Sequence, residues 1–365
     1  MATVEARPRV ALSPLCLGAL EFLEHAYDEK RALFSYSARL VDGRFVNDFE
    51  HPLALRYTVN TLLGLRRAAP FAGSHELCAA EHVERFLERQ AGRLTSPADR
   101  GLLLALLAEG PWEDEARRVL SGVAEVCGRP GLNVQDVAWL LWGASAATRA
   151  GLPGAEAVAG RLLRMLGDFA HVSSGLPRHN ATRYRGHVVS FGGLVYYLRA
   201  LHEAAVTLDD RAADVRFRRG VERALELQGP NGEWPWMIGV ARGTPLDVYP
   251  VFTVHQDSMA MLFLLPALDA GLDVRSAIES SVAWNFGQNQ LGEPLVVERP
   301  FHVHRSIERT DRLPRARRYL RTVARAGAAR SAGLVPNEEL RVNRECRSYH
   351  LGWVLFAWSG RPDAP

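Results

Sequence analysis

Four stretches of the chain gather side chains that can move protons or grip acidic groups. The densest is 175–187, which places Arg178, His179, Asn180, Arg183, Tyr184, Arg185 and His187 in one short segment. A neutral His or Tyr can take a proton from carbon beside a carboxylate, while Arg or Asn offsets the carboxylate charge. The second stretch is 227–236. Its Gly229-Pro230-Asn231-Gly232 turn leads into Glu233, Trp234, Pro235 and Trp236. Here Glu233 is a candidate general acid, and the two indoles offer flat faces for a sugar ring. The structural alternative is that Gln228 and Trp234 staple neighbouring repeats. Asp247 and Tyr249 follow and lead to the third stretch, His255-Gln256-Asp257-Ser258, a polar head on an almost unbroken apolar run. The fourth, 343–350, carries Arg344, Glu345, Arg347, Tyr349 and His350.

Each group also has a structural reading. Asp136, after Asn133, and Asp257 suit the first turn of a helix, where a carboxylate complements exposed N–H groups and the helix dipole. His302-x-His304 with Asp257 or His255 has the residue types of a divalent-metal site; no other cofactor is implied. Cys346 has no neighbouring base pattern and reads as a small buried thiol.

These groups must be positioned by helices of two kinds. Amphipathic segments lie at about 13–27, 75–91, 112–126, 154–170, 212–227 and 273–287. Segments apolar nearly all round lie at about 52–66, 98–108, 134–147, 187–202, 255–269 and 349–358. A helix with no polar stripe is buried on every side. The two kinds alternate strictly, and regular helix pairs indicate a repeat architecture. The expected fold class is all-α, an (α/α)6 toroid with six inner helices walled by six outer ones. Residues 1–12 read as an arm and 13–360 as one domain, with a long insertion at about 289–348. Short hairpins are expected within 240–254 and 295–303.

The longest links, about 28–51, 171–186, 229–253 and 289–348, all run from an outer to an inner helix. Long links are usually functional. In a toroid they share one rim, and the inner helices begin there with Arg56, Tyr57 and Asn60, with Asp136, His187, His255 to Asp257, and with Tyr349 and His350.

Bulk properties narrow the class. The 365 residues are 47% hydrophobic and carry a net charge of +3, which gives no charge argument for nucleic acid. Four widely spaced cysteines form neither a disulfide framework nor a zinc-ribbon pattern. Neither a signal peptide nor a membrane-length apolar run is evident, so a cytoplasmic protein is expected. No oligomeric state is implied.

The alternating six-hairpin plan resembles that of six-hairpin glycosidases and of toroidal polysaccharide lyases and epimerases. The resemblance covers nearly the whole chain. It implies a carbohydrate-active enzyme working on an acidic or oligomeric sugar in a rim cleft. Hydrolysis would use Glu233, Asp257 and Asp136; elimination or epimerisation would use His179, Tyr184, His187, His255 and His350. Arg183, Arg344 and Arg347 would hold carboxylates, and Tyr57, Asn60, Trp234, Trp236, Tyr249, Gln256 and Tyr349 would line the substrate. A narrower segment, Gln228 to Trp234, resembles the Gln…Gly-x-Trp repeat of toroidal terpenoid cyclases and prenyltransferases. His255 to Met261 is loosely similar to the cyclase acid motif, but Gln256 stands where the catalytic Asp is expected. An isoprenoid enzyme is therefore one alternative, and a non-catalytic glycan-binding or scaffold toroid another.

Overall fold

A computed structural model describes residues 12–180, 186–311, 320, 324, 332–362 and 364–365. The helices in order are α1 (Pro14–His25), α2 (Ala54–Ala68), α3 (Glu81–Arg89), α4 (Pro97–Ala108), α5 (Glu113–Val126), α6 (Val134–Arg149), α7 (Ala155–Gly167), α8 (Phe191–Leu208), α9 (Arg211–Leu225), α10 (Met261–Asp269), α11 (Arg275–Asn285) and α12 (Ser348–Trp358). Among the described residues the even-numbered helices bury most of their surface, whereas the odd-numbered ones bury chiefly one face. The alternation expected from hydropathy is thus present.

The strands are short: β1 (Tyr27–Asp28), β2 (Leu33–Phe34), β3 (Ser37–Val41), β4 (Arg44–Asp48), β5 (Val188–Ser190), β6 (Met237–Gly239), β7 (Thr244–Asp247), β8 (Val251–Phe252), β9 (Val296–Glu298), β10 (Phe301–Val303), β11 (Ser306–Arg309) and β12 (Leu340–Asn343). All of them lie in the links between helices. The hairpin expected within 240–254 begins earlier, with β6 pairing antiparallel to β7.

Spatially the chain clusters into two compact units. The first comprises residues up to Arg93 with Glu298–His302 and Cys346–Pro365. Here α2 packs on α12 and α1 on α12. The α2–α12 crossing is close because Gly64 meets Gly352, so that a Cβ on Gly64 would strike the Gly352 carbonyl. The β3–β4 hairpin turns at Asp42 and Gly43, both with positive φ (48° and 75°). That is the Asp-Gly signature of a two-residue hairpin loop. Reciprocal backbone bonds between Ala38 and Cys346, at 2.9 and 2.8 Å, tie β3 to the chain entering α12.

The second unit comprises Leu94–Val297 and Val303–Glu345. In it α4 packs on α6 and α6 on α8, with α5, α7 and α9 outside them. Gly101 and Gly143 let α4 and α6 approach at backbone distance. The inner helix expected at 187–202 starts later, at Phe191. Val188–Ser190 form β5 against β6, and the Ser190 hydroxyl then caps α8 by accepting from Gly193 N at 3.1 Å. The inner segment expected at 255–269 is not α-helical throughout. His255–Met259 form a π-turn closed by Ala260 N to His255 O at 3.2 Å, and α10 follows it.

Candidate functional site

In the first unit the hairpin builds a column of rings. Tyr36 precedes β3 and His51 follows β4; Tyr36 N donates to Asp48 O at 2.7 Å and closes the hairpin's base. The Tyr36 and His51 rings then stack 3.5 Å apart with an interplanar angle of 5°. Tyr36 also stacks on Tyr57 from α2 at 5.1 Å, and Tyr57 lies 4.2 Å from Tyr349 of α12. The guanidinium of Arg347 sits 3.8 Å from the Tyr36 ring centre and donates to Tyr36 O at 3.2 Å. His51 Nδ1 accepts from Leu53 N at 3.1 Å, so a neutral His51 carries its proton on Nε2. Tyr36, His51, Tyr57 and Tyr349 are all half-buried, the state of rings that still present an edge or face.

The other first-unit candidates differ in exposure. Asn60 is buried within α2, and His350 is buried at the start of α12, its backbone N bonded to Arg347 O at 3.1 Å. Arg344 is exposed. Arg347, expected to hold a substrate carboxylate, is only 4% exposed and lies against Tyr36.

In the second unit the π-turn carries the polar head. An i→i+5 turn widens the helix by one residue, and such turns recur at functional positions. All five of its residues are buried. The Asp257 carboxylate accepts from Asn285 Nδ2 of α11 at 2.7 Å. Gln256 Nε2 donates to Phe252 O at 3.2 Å, and its backbone O accepts from Ser281 Oγ at 2.7 Å. The His255 ring is held by two aromatic neighbours, Phe191 at 5.0 Å and Phe252 at 5.1 Å, and keeps 7% exposure. Arg305 lies 5.4 Å from the Phe252 ring and pairs with Glu345 at 3.1 Å.

The stretch 227–236 takes the structural role weighed for it from sequence. Gln228 Nε2 donates to Ala277 O at 3.0 Å, and Trp234 Nε1 donates to Ser281 Oγ at 2.8 Å. These bonds staple the stretch to α11. Trp234 is fully buried and stacks on Phe191 at 5.0 Å. Trp236 is half-buried. Glu233 folds back over its own turn, and its carboxylate accepts from Asn231 N at 3.0 Å. Burial drives the Glu233 carboxyl above the usual carboxylate range, against the bonds from Asn231 and Gln290 that lower it. Nearby Tyr249 is buried too; desolvation first, then the Glu233 charge, push its hydroxyl up to about 12.

The remaining candidates lie nearer the surface. Asp136 accepts from Asn133 N at 3.0 Å while Asn133 accepts from Asp136 N at 3.2 Å, a capping box at the start of α6. His179 is half-buried, and its backbone bridges β5 and α6 by donating to Val188 O and accepting from Val134 N. His187 is exposed. Arg183 and Tyr184 lie outside the described residues. Among the described residues, no three His, Cys, Asp or Glu side chains come together as metal ligands would, so His302 and His304 gain no metal partner there. His302 Nδ1 instead contacts Pro300 O at 2.8 Å. Again among the described residues, no helix is long and apolar enough to cross a membrane.

The residues missed from sequence are Tyr36 and His51. Their signal was Asp42-Gly43, a hairpin turn that brings its two flanks together.

The alternating helices, with the described strands confined to their links, define an all-α fold of the (α/α)6 toroid type, and solved structures of that type match the chain along most of its length. A cellobiose 2-epimerase from Bacillus thermoamylovorans is 11% identical, with a TM-score of 0.65, covering 94% of this chain and 97% of the other. An unsaturated glucuronyl hydrolase from a Bacillus species, responsible for glycosaminoglycan degradation, is 14% identical with a TM-score of 0.57 and covers 94% of each chain. A polysaccharide lyase is 12% identical with a TM-score of 0.51, covering 83% of this chain and 89% of the other. No protein-family profile and no curated protein matches the sequence. These likenesses carry the six-hairpin resemblance. The terpenoid-cyclase resemblance finds no support in them, and the Gln228–Trp234 segment behind it serves as a staple to α11.

Proposed function

We propose that the chain is a carbohydrate-active enzyme that moves a proton at carbon, as an epimerase or lyase does, on an acidic or oligomeric sugar. The observation that carries this reading is the placement of His255 in the buried π-turn, while three candidate carboxylates of its unit serve the fold. Asp136 is committed to a helix cap, Asp257 to Asn285, and Glu233 to its own turn. A glycosidase needs two carboxyl groups placed on either side of the scissile bond. His255 lies beside two aromatic rings, Phe191 and Phe252, in the π-turn at the head of a buried inner helix. An imidazole titrates near neutrality and can both accept and return a proton. The half-buried Tyr57 and Tyr349 rings support sugar binding in the first unit. The solved structures of like fold include an epimerase and a lyase.

Hydrolysis is the second reading. It is favoured by the raised Glu233 carboxyl, which would keep a proton to donate.

Incubation in deuterium oxide separates the two. Cellobiose and uronate-containing oligosaccharides are offered, and products are followed by NMR. Epimerisation introduces deuterium at the inverted carbon, and elimination creates a conjugated double bond. Replacement His255→Asn is expected to slow either by about 10²–10⁴-fold, the usual contribution of a general acid–base group. New reducing ends, with neither deuterium at carbon nor a double bond, would establish hydrolysis and overturn the proton-transfer reading.

A further inference from the structure

The α9 helix carries Arg211, Arg216, Arg218, Arg219 and Arg223. Arg218 pairs with Asp214 and turns toward Ala270 O, away from the others. Arg216, Arg219 and Arg223 recur at i, i+3 and i+7 and therefore share one helix face. Their reach is fixed by contacts. Arg216 borders Gly167 at the end of α7, Arg219 Nη2 donates to Ser173 O at 2.9 Å, and Arg223 Nη2 donates to Arg242 O at 3.3 Å. The ridge thus runs beside the loop that holds His171 and Arg178 and ends at the β6–β7 turn with Arg242.

Charge on this face is largely uncompensated. Arg223 pairs with Glu226, but among the described residues no carboxylate pairs with Arg178, Arg216, Arg219 or Arg242. Of the other carboxylates of these elements, Glu156, Asp168 and Glu222 are exposed and Asp247 is buried. His171 reports the local field: burial first, then the Arg178 and His187 charges, hold its ring below the ordinary imidazole range. Arg219 and Arg242 are exposed, and Arg216, Arg223 and Arg178 are half-buried. From Arg216 to Arg223 the ridge spans two turns, about 10 Å along the axis.

We propose that this ridge is a docking surface for an acidic polysaccharide, gripping repeated carboxylates of one chain outside the reacting centre. The occupant follows from charge complementarity. Guanidinium groups bond carboxylates through paired N–H donors, and a row of them suits a polymer with charge at regular intervals. The choice of a polyuronate over another polyanion rests on the carbohydrate-active reading given above. Turnover of a short substrate does not require the ridge, whereas retention of a long one does.

Affinity electrophoresis in gels containing polygalacturonate, dextran or double-stranded DNA tests this without any assay of turnover. The whole chain is expected to be retarded by polygalacturonate at low salt, released as salt screens the contacts, and unaffected by dextran. The triple variant Arg178→Gln, Arg216→Gln, Arg219→Gln is expected to bind at least about tenfold more weakly, a modest loss for three charge contacts. The matching Arg→Lys triple variant keeps the charge and is expected to retain most of the retardation, which separates lost charge from lost folding. Absence of retardation, retardation that all three Gln replacements leave intact, or tighter binding to DNA than to polygalacturonate would overturn the proposal. Binding that behaves as expected, in a chain that turns over no sugar, would sink the enzymatic reading and leave the docking surface standing.

Discussion

Asn285 on α11 donates its side-chain amide to the Asp257 carboxylate at 2.7 Å, and both residues are wholly buried. The same amide donates to Thr253 O at 3.2 Å. One side chain thus anchors the π-turn and the strand end before it to the outer helix. Removing the donor leaves a buried carboxylate short of a partner, which costs about 1–3 kcal/mol or more for a charged group. Asn285→Ala is expected to lower the melting temperature by several degrees. Asp257→Asn, which removes the charge at constant shape, is expected to lower it less. Thermal denaturation followed by circular dichroism checks the order of the two variants.

Glu233 gives a pH-dependent signature. Its folded-state carboxyl titrates above the unfolded value because it is buried. Between the two pKa values the folded state holds more protons than the unfolded state, so this group's contribution to stability falls as pH rises through that window. Glu233→Gln removes the charge and keeps an acceptor for Asn231 N. Its melting temperature relative to the parent is therefore expected to climb from acid toward neutral pH and then level off. A difference that stays constant over that range would mean that the Glu233 carboxyl is not shifted.

The glycine pairs between inner helices make a third prediction. A Cβ on Gly143 would strike the Gly101 carbonyl and lie 3.1 Å from Leu104 Cβ. Backbone cannot yield as a side chain does, so Gly143→Ala must push α6 off α4. The expected cost is at least about 1–3 kcal/mol, as for other overpacked cores. Gly122, on the outer helix α5, has only the tip of Arg100 nearby, at 3.5 Å. Gly122→Ala is expected to be neutral or to stabilise by up to about 1 kcal/mol through helix propensity. Denaturant midpoints of the two variants give the contrast.

These glycines also mark where sequence reading stops. Inner and outer helices were legible because all-round burial and one-faced burial leave different apolar spacings, and no other chain segment need be known. The capping role at Asn133-x-x-Asp136 was legible for the same local reason. Which helices approach through glycine depends on packing between segments distant in sequence, and hydropathy is blind to it. The π-turn was hidden because an extra residue inside an apolar run changes neither its composition nor its length appreciably. Sequence named Tyr57 and Tyr349 in the first unit and His255 in the second as candidates by residue type alone; that Trp234 is fully enclosed depends on its packing against Phe191 and Ser281, which are distant in sequence.

Arg347 decides between two uses of one guanidinium. Sequence suggests a carboxylate holder, but the side chain is nearly enclosed, lies 3.8 Å from the centre of the Tyr36 ring and bonds Tyr36 O. Such a cation over a half-buried ring contributes about 0.5–2 kcal/mol. A flat guanidinium can lie on a ring and still donate in its own plane; an ammonium cannot do both. Arg347→Lys is therefore expected to lower the melting temperature by several degrees and to alter the near-ultraviolet circular dichroism of the tyrosines, because Tyr36 loses its cover and shifts against His51 and Tyr57. Tyr36→Leu in the Arg347→Lys background is expected to cost less than Tyr36→Leu alone, the mark of two residues acting through one contact. An Arg347→Lys protein with parental melting and dichroism that binds only uronate substrates more weakly would assign the guanidinium to the substrate instead.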